Sequence, residues 1–332
     1  MKKINFAIIF IIFIIILGLF IAWQFIYLPK SLSSEEELTF TVKEGEGSKD
    51  ISVNLEKTGL IKWGPAFRIY VLREEVAGKL QAGNYHLSPS MNIPEIVNKF
   101  VNGDVIQEKI TFPEGFNLRK IKKSFENSEF LKTIDLGKFK IINFKGEFDF
   151  LSGAPDEVSL EGFLFPDTYF FEPDMKEREV AEIFLSNFDK KIAPYQNEIS
   201  AADLTLFDVI TMASLIEKEV QTKEDKELVS GIFWKRIGLG KPLESCATIA
   251  YIKGVDQWLY SFEDTRIESP YNTYLNPGLP LGPICNPGLE SILAALYPKD
   301  SDYWYYLSTP EGETIFSKTF EEHSIAKGKY LK

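Results

Sequence analysis

Hydrophobic residues follow three patterns along the chain, and the first is an unbroken apolar run near the N-terminus. Residues 6–23 are apolar throughout, interrupted only by Gly18, and residues 25–28 continue the run. About 20 such residues are needed to cross the hydrocarbon core of a bilayer. The run therefore predicts a membrane-spanning helix, and Lys2 and Lys3 in front of it favour a cytoplasmic N-terminus.

A cleaved signal peptide is the alternative interpretation of this run. Residues 31–33, Ser-Leu-Ser, have a faint similarity to a cleavage site. The apolar core is, however, longer than that of a typical signal sequence. We therefore predict a cytoplasmic N-terminus and retained anchor within residues 1–30, a polar linker over residues 31–37, and an extracytoplasmic remainder.

The second pattern, short strands mixed with short helices, occupies residues 38–104. Residues 38–42 alternate as in a strand, residues 51–55 indicate a short amphipathic helix, and a further helix is capped by Asn92 and closed by Gly103. This pattern predicts a small α+β module. Composition alone leaves its role open between a structural spacer and a glycan-binding module.

The third pattern is helical spacing within residues 205–220. Thr205 and Asp208 have the spacing of a capping box at the helix start. The spacing predicts one shared apolar face, formed by Leu206, Val209, Ile210, Ala213, Ile216 and Val220. Glu217 falls on this face, whereas Glu219 is predicted to turn toward the wetter side.

Glu217 is for this reason the candidate catalytic residue. Burial among aliphatic groups disfavours the charged form of a carboxyl group, so we expect Glu217 to stay protonated near neutral pH. A protonated carboxyl group is suited to act as general acid on a glycosidic oxygen. Two plainer alternatives stay open at this point: a core ion pair with a Lys or Arg, or a side chain that reaches the surface at the helix end.

A loop rich in proline and glycine follows, over residues 269–274 and 278–288. Such a composition excludes a helix or a central strand and predicts a stiff loop. Amide groups and aromatic faces on a stiff loop are groups that hold sugars. The candidates are Tyr271, Asn272, Tyr274 and Asn286. The alternative is a plain structural connection, although connections of this length are uncommon.

Composition excludes several other functions. A chain of 332 residues, 45% hydrophobic, can form one large or two modest domains, and its net charge of −11 argues against nucleic-acid binding. The motifs of zinc proteases, elbow-type serine hydrolases and P-loop enzymes are absent from the sequence. We therefore expect no metal and no cofactor. Cys246 and Cys285 could form a disulfide or stand alone as small residues.

Taken in order, these motifs resemble the endolytic murein transglycosylase family, the MltG or YceG-like proteins. The resemblance covers nearly the whole chain. It is carried by residues 110–115 (ending Pro-Glu-Gly), 161–169 (Glu-Gly-Phe-Leu-Phe-Pro-Asp-Thr-Tyr), 213–219, 271–274, 278–288 and 316–323. Many members have Asp-Pro in place of Cys246 and Ala247 and a second proline in place of Leu281. Other members resemble this chain in having Cys-Ala, so we do not interpret that departure as a loss of activity, and the change at Leu281 is mild.

The resemblance implies a mixed α+β catalytic domain over residues 105–332, preceded by a LysM-like module. It implies a lytic transglycosylase that cuts the β-1,4 bond between N-acetylmuramic acid and N-acetylglucosamine within a peptidoglycan strand. Glu217 matches the family's catalytic glutamate. Glu161 is assigned a substrate-positioning role, or that of a second carboxylate if the enzyme is a hydrolase.

The resemblance also implies partners and a location. The expected partners are peptidoglycan strands and peptidoglycan synthases (penicillin-binding proteins), and the expected location is the cytoplasmic membrane. Two other classes remain as alternatives. One is a non-catalytic, membrane-anchored glycan-binding scaffold, and the other, less favoured, is an exported protease.

Overall fold

The fold is a mixture of helices and three two-stranded sheets within the described residues, which confirms the predicted mixed α+β class. The computed structural model describes residues 2–34, 36–201, 204–255, 257 and 260–330, with side chains from residue 8 onward. The side chains of Lys2 and Lys3, on which the predicted topology depends, lie outside this part. The helices are α1 Lys2–Tyr27, α2 Ser48–Lys57, α3 Gly64–Arg73, α4 Ile93–Asn102, α5 Leu118–Glu126, α6 Glu177–Ile192, α7 Gln196–Ala201, α8 Leu206–Glu219, α9 Lys223–Gly238, α10 Cys246–Lys253, α11 Leu289–Leu296 and α12 Phe320–Tyr330. The strands are β1 Leu38–Val42, β2 Gly83–Leu87, β3 Glu108–Thr111, β4 Thr168–Phe171, β5 Tyr305–Ser308 and β6 Thr314–Ser317.

The chain forms two compact units. The first contains Met1–Glu108 and Phe170–Asp174, and the second contains Lys109–Tyr169 and Met175–Lys332. In the first unit, β1 and β2 pair antiparallel, with Leu38 opposite Leu87. Its core is aromatic and aliphatic, centred on Phe40, Phe67, Tyr85 and Phe100. The predicted cap of α4 is confirmed, because Asn92 and Glu95 form a capping box.

Helix α1 is long and apolar enough to cross a membrane. Its candidate span, Ile8–Tyr27, has 20 residues and a mean hydropathy of 2.9. The last turn packs on the small module: Ile26 is buried in the module core, and the Phe25 ring lies 5.3 Å from that of Trp63. The chain stays in contact after the helix ends, because the Ser31 N–H donates to the carbonyl of Pro89 at 2.9 Å.

Helix α8 is the centre of the second unit. The capping box of Thr205 and Asp208 is confirmed. The prediction of a single apolar face is wrong, because every residue from position 209 to position 216 is buried. The helix contacts α9, α10 and α11, and a helix surrounded in this way is buried on all sides. Its polar Thr211 and Ser214 hydroxyls donate to carbonyls one turn earlier in the same helix.

One glycine marks a close approach beside α9. A Cβ atom at Gly231 would lie 2.1 Å from the carbonyl oxygen of Lys299. The Lys299 N–H in turn donates to the carbonyl of Glu227 at 3.0 Å. Any side chain at position 231 would therefore push the segment after α11 away from α9. This contact fixes where α11 ends relative to α9, and both helices pack on α8.

Candidate active site

Three of the motif segments meet at the side chain of Asn286. Its Oδ1 accepts hydrogen bonds from the N–H groups of Gly162 and Leu164, each at 2.9 Å. Its Nδ2 donates to the carbonyl of Phe116 at 2.9 Å and to Glu161 at 3.1 Å. One amide thus joins the Pro-Glu-Gly turn, the aromatic segment and the proline-rich loop. Because these segments lack regular secondary structure, their backbone groups need such side-chain partners.

Glu161 lies at the centre of the same junction and is 2% exposed. Both carboxyl oxygens accept from the N–H of Leu118, the first residue of α5, at 3.1 Å. Burial raises the pKa of Glu161 to about 8, although hydrogen bonds from Leu118, Asn286 and Tyr251 and the charge of Arg119 oppose the shift. The carboxyl group is therefore mostly protonated at neutral pH.

The raised pKa of Glu161 predicts a pH-dependent stability. Its pKa in the folded protein is about 8, compared with an ordinary value of 4.5. Between pH 4.5 and pH 8 the folded protein therefore binds one proton that the unfolded chain has lost. The free energy of unfolding should then fall as pH rises through this window, by on the order of 4 kcal/mol. Calorimetric unfolding of the full chain in detergent between pH 5 and pH 9 measures the slope. Glu161→Gln mimics the protonated group and should flatten the profile, and parallel profiles for the two proteins would contradict the assignment.

Glu217 joins two helices in the structure. Its Oε2 accepts from the Ser291 hydroxyl at 2.6 Å and from the N–H of Gly288, the N-cap of α11, at 3.0 Å. The ammonium of Lys226 on α9 lies 3.5 Å away, and the two side chains are only 9% and 4% exposed. Glu217 therefore occupies a buried ion pair, which corresponds to one of the plainer alternatives left open by the sequence.

Glu219 lies among polar partners at the end of α8. It is the last residue of α8 and is partly buried. Burial raises the pKa of Glu219, while hydrogen bonds from the Ser245 hydroxyl, the Tyr306 hydroxyl and the N–H of Ala247 and the charge of Arg236 oppose the shift. The expectation that Glu219 lies on the wet side of the helix is wrong, because residues 245–247 and β5 cover it.

Glu219 opens into a cleft of about 830 Å³. Aromatic and polar side chains share its walls. Among them are Tyr260, Tyr274, Tyr305, Tyr306, Phe320, Arg236, Ser308, Thr309, His323 and Lys327. Flat aromatic surfaces beside hydroxyl and charged groups form a lining that suits an amphipathic polymer such as a glycan. Glu217 is absent from the described residues that line this cleft.

Of the predicted substrate-binding residues, Tyr274 lines the cleft, whereas the others contact groups inside the protein. Tyr274 lines the cleft, and its hydroxyl lies 3.0 Å from the Cys246 sulfur. Tyr271 packs on Tyr251 with ring centroids 4.9 Å apart. Asn272 is fully buried and donates to the carbonyls of residues 265 and 267. In this conformation Asn272, Asn286 and Glu161 are bonded inside the protein, so their contact with a substrate stays a prediction.

Several cleft residues were missed by sequence reasoning. Ser245, Tyr306 and Arg236 surround Glu219, yet nothing in their local sequence marks them as a site. Cys246 and Cys285 are both free, the first exposed and the second buried. For His323 the sequence did contain a signal, because this residue is the last one of the motif segment 316–323. The structure places it in the cleft wall, 8% exposed and stacked on Tyr305.

A protonatable carboxyl group beside a long aromatic cleft is typical of enzymes that act on glycosidic bonds. The chain belongs to the YceG-like family, because the sequence model of that family matches residues 40–329. It is 32% identical to the endolytic murein transglycosylase of Bacillus subtilis, over 96% of this chain and 91% of that protein.

Two further relatives agree with this family assignment. The endolytic murein transglycosylase of Streptococcus pneumoniae strain D39 is 31% identical over 96% of this chain, which spans 64% of that longer protein. A crystal structure of a YceG-like protein from Listeria monocytogenes has a TM-score of 0.60 and 32% identity. It covers 89% of this chain and 100% of that one. The resemblance stated from the motifs is thereby confirmed.

Proposed function

We propose that the protein is an endolytic lytic transglycosylase of peptidoglycan, which cuts bonds between N-acetylmuramic acid and N-acetylglucosamine within a strand. The observation that carries the proposal is the partly buried carboxyl group of Glu219, with its raised pKa, beside the 830 Å³ cleft. Relatives named endolytic murein transglycosylase, matched over 96% of the chain, support the substrate class.

The chemistry needs a single residue that acts first as acid and then as base. Protonated Glu219 donates its proton to the glycosidic oxygen as that bond breaks and positive charge develops on the muramic sugar. The ionised Glu219 then takes the proton of the same sugar's C6 hydroxyl, whose oxygen bonds to the anomeric carbon. The product is a 1,6-anhydro sugar, and no water is consumed. Such acid–base catalysis favours a pKa near the working pH, and burial shifts the pKa of Glu219 upward, in that direction.

Hydrogen-bond donors around Glu219 support the second half of this cycle. The hydroxyls of Ser245 and Tyr306 and the N–H of Ala247 all point to the carboxyl group. They stabilise the anion once the proton has left, while burial favours the neutral acid before. Glu217, in contrast, forms a buried ion pair with Lys226. Glu217, the residue chosen from the sequence, remains the competing assignment.

The first unit supports a role in holding the enzyme at its substrate. The order β1–α2–α3–β2, with β1 and β2 paired antiparallel, supports a LysM-like, glycan-contacting module over residues 38–104, followed by a catalytic domain over residues 105–332. Residues 1–30 would anchor it in the cytoplasmic membrane with a cytoplasmic N-terminus, and residues 31–37 would link the two. Peptidoglycan synthases are the partners that we propose, because a cut within a nascent strand sets its length.

Product analysis tests the proposed function. The full chain in detergent is incubated with uncrosslinked glycan strands, and the fragments are identified by mass spectrometry. Internal fragments that end in 1,6-anhydro sugar are the expected result. Reducing ends would instead indicate a hydrolase with a second carboxylate, for which Glu161 is the candidate. Strand binding without any cleavage would favour the scaffold alternative.

A further inference from the structure

A second, smaller cavity of about 210 Å³ lies between α5, α10 and the end of α8. Its most unusual property is its charge. Four cationic side chains line it, Arg119, Lys120, Lys123 and Lys218, and no carboxylate is present among the lining residues that the structure describes. In a chain of net charge −11, such a local excess of positive charge attracts anions.

Three of these cations have no ion-pair partner among the residues that the structure describes. Arg119, Lys123 and Lys218 form no ion pair with any carboxylate in the described part of the chain, although many other lysines there do. Beneath the cavity, Glu161 lies close enough to feel the charge of Arg119, but with a pKa of about 8 it is mostly neutral at pH 7. Within the described part of the chain, the charges of Arg119, Lys123 and Lys218 are therefore not balanced by an ion pair.

The guanidinium of Arg119 is held in place. It lies over the ring of Tyr251, 5.3 Å from the centroid. A Cβ atom at Gly254 would approach its Nη1 to 2.6 Å, and Gly254 has a φ of +75° that favours glycine. The glycine at the end of α10 thus leaves the space that the guanidinium fills. A fixed, partly stacked arginine loses less entropy on binding an anion than a free one does.

Lys218 connects this cavity to the catalytic cleft, because it lines both. It also lies between Glu217 and Glu219 in the sequence. An anion in the cavity would therefore contact a cavity wall that the cleft of Glu219 shares through Lys218. In a strand of alternating sugars, N-acetylglucosamine is neutral, and the muramyl unit carries the negative charge. Its lactyl arm ends either in a carboxylate or in a peptide that carries carboxylates.

We infer that the cavity lined by Arg119, Lys123 and Lys218 is a subsite for a carboxylate on the muramyl arm of the substrate. The inference rests on the proposed function. Charge recognition here sets which sugar occupies the position next to Glu219, and so orients the alternating strand in the cleft. The diphosphate at the lipid-linked end of a strand is the other anion that such a cavity could hold, and the experiment separates the two.

Kinetics on two forms of the same strands test the subsite. One form keeps its carboxylates, and in the other they are converted to amides. Arg119→Gln and Lys123→Gln should each raise KM about tenfold on the charged strands with little change in kcat, the effect of one charge-assisted hydrogen bond. On amidated strands wild type and variants should show the same raised KM. Lys122→Gln, on the same helix but paired with Asp135, is the matched control and should behave as wild type.

Two results would overturn the subsite. The first is an unchanged KM on charged strands, and the second is an equal rise on charged and amidated strands. Calorimetric titration of Glu219→Gln with both strand forms gives the same comparison without turnover. If wild type binds charged strands more tightly but cuts neither form, the subsite stands and the proposed function fails. Stronger competition by inorganic diphosphate than by N-acetylmuramic acid would overturn the carboxylate assignment.

Discussion

Glu219→Gln is expected to lower the rate of 1,6-anhydro product formation by about 10³-fold while the protein stays folded. Gln has the size of Glu and can still accept hydrogen bonds through its amide oxygen, but it has no acidic proton to transfer to the leaving oxygen. The burial that raises the pKa of Glu219 would be no obstacle to the neutral Gln. The measurement is the initial rate of anhydro-fragment release, with the unfolding temperature recorded for each protein.

The control for this variant is Glu224→Gln. Glu224 is an exposed carboxylate on α9 whose partner is Lys299, so its loss should leave the rate unchanged. Full activity of Glu219→Gln, together with a stable but inactive Glu217→Gln, would return the catalytic role to Glu217. A pH–rate profile of the wild type adds a second check, because its acidic and basic limbs should both disappear with Glu219.

Glu217→Gln is expected to lower stability by about 3 kcal/mol, because it removes the ion-pair partner of the buried ammonium of Lys226. The side chains of this pair are 9% and 4% exposed, so water cannot replace the lost carboxylate. In a unit of about 200 residues this corresponds to a midpoint lower by roughly 6–12 °C. Differential scanning calorimetry of the full chain in detergent measures it.

A double variant separates this structural role from a catalytic one. Glu217→Gln combined with Lys226→Met removes both charges and should recover much of the lost stability. If Glu217 only joins α8, α9 and α11, the double variant should also recover cleavage. A double variant that is stable yet inactive would show that the carboxylate of Glu217 takes part in the reaction.

The sequence predicted elements wherever a local signal was strong. Asn92 caps α4 and Gly103 follows its last residue, and Thr205 and Asp208 form the capping box of α8, as predicted. Helix α12 was not predicted, because only His323 and Ala326 of its residues are buried. A helix with so small an apolar surface lacks the periodicity on which such predictions depend.

The choice between Glu217 and Glu219 shows where sequence reasoning reaches its limit. A helical wheel sorts the side chains of one helix, but α8 is covered on every side. Glu217 is ion-paired because Lys226 on the next helix lies beside it. Glu219 lies at the cleft among Ser245 and Tyr306, which are distant from it in sequence. For the polar residues of the proline-rich loop, contact with a ligand stays a prediction, and the structure adds that Asn286 binds the backbone of its neighbours.

The packed end of α1 limits the motion of the small module relative to the membrane-spanning helix. A free linker of seven residues would give a root-mean-square reach of roughly 15 Å. Here Phe25 and Ile26 pack on the module, and the backbone of Ser31 is bonded to Pro89, so that freedom is lost. With α1 in a bilayer, the module would share the tilt and rotation of the helix. A strand bound to the module would then be held in one orientation relative to α1, at one height above the lipid headgroups.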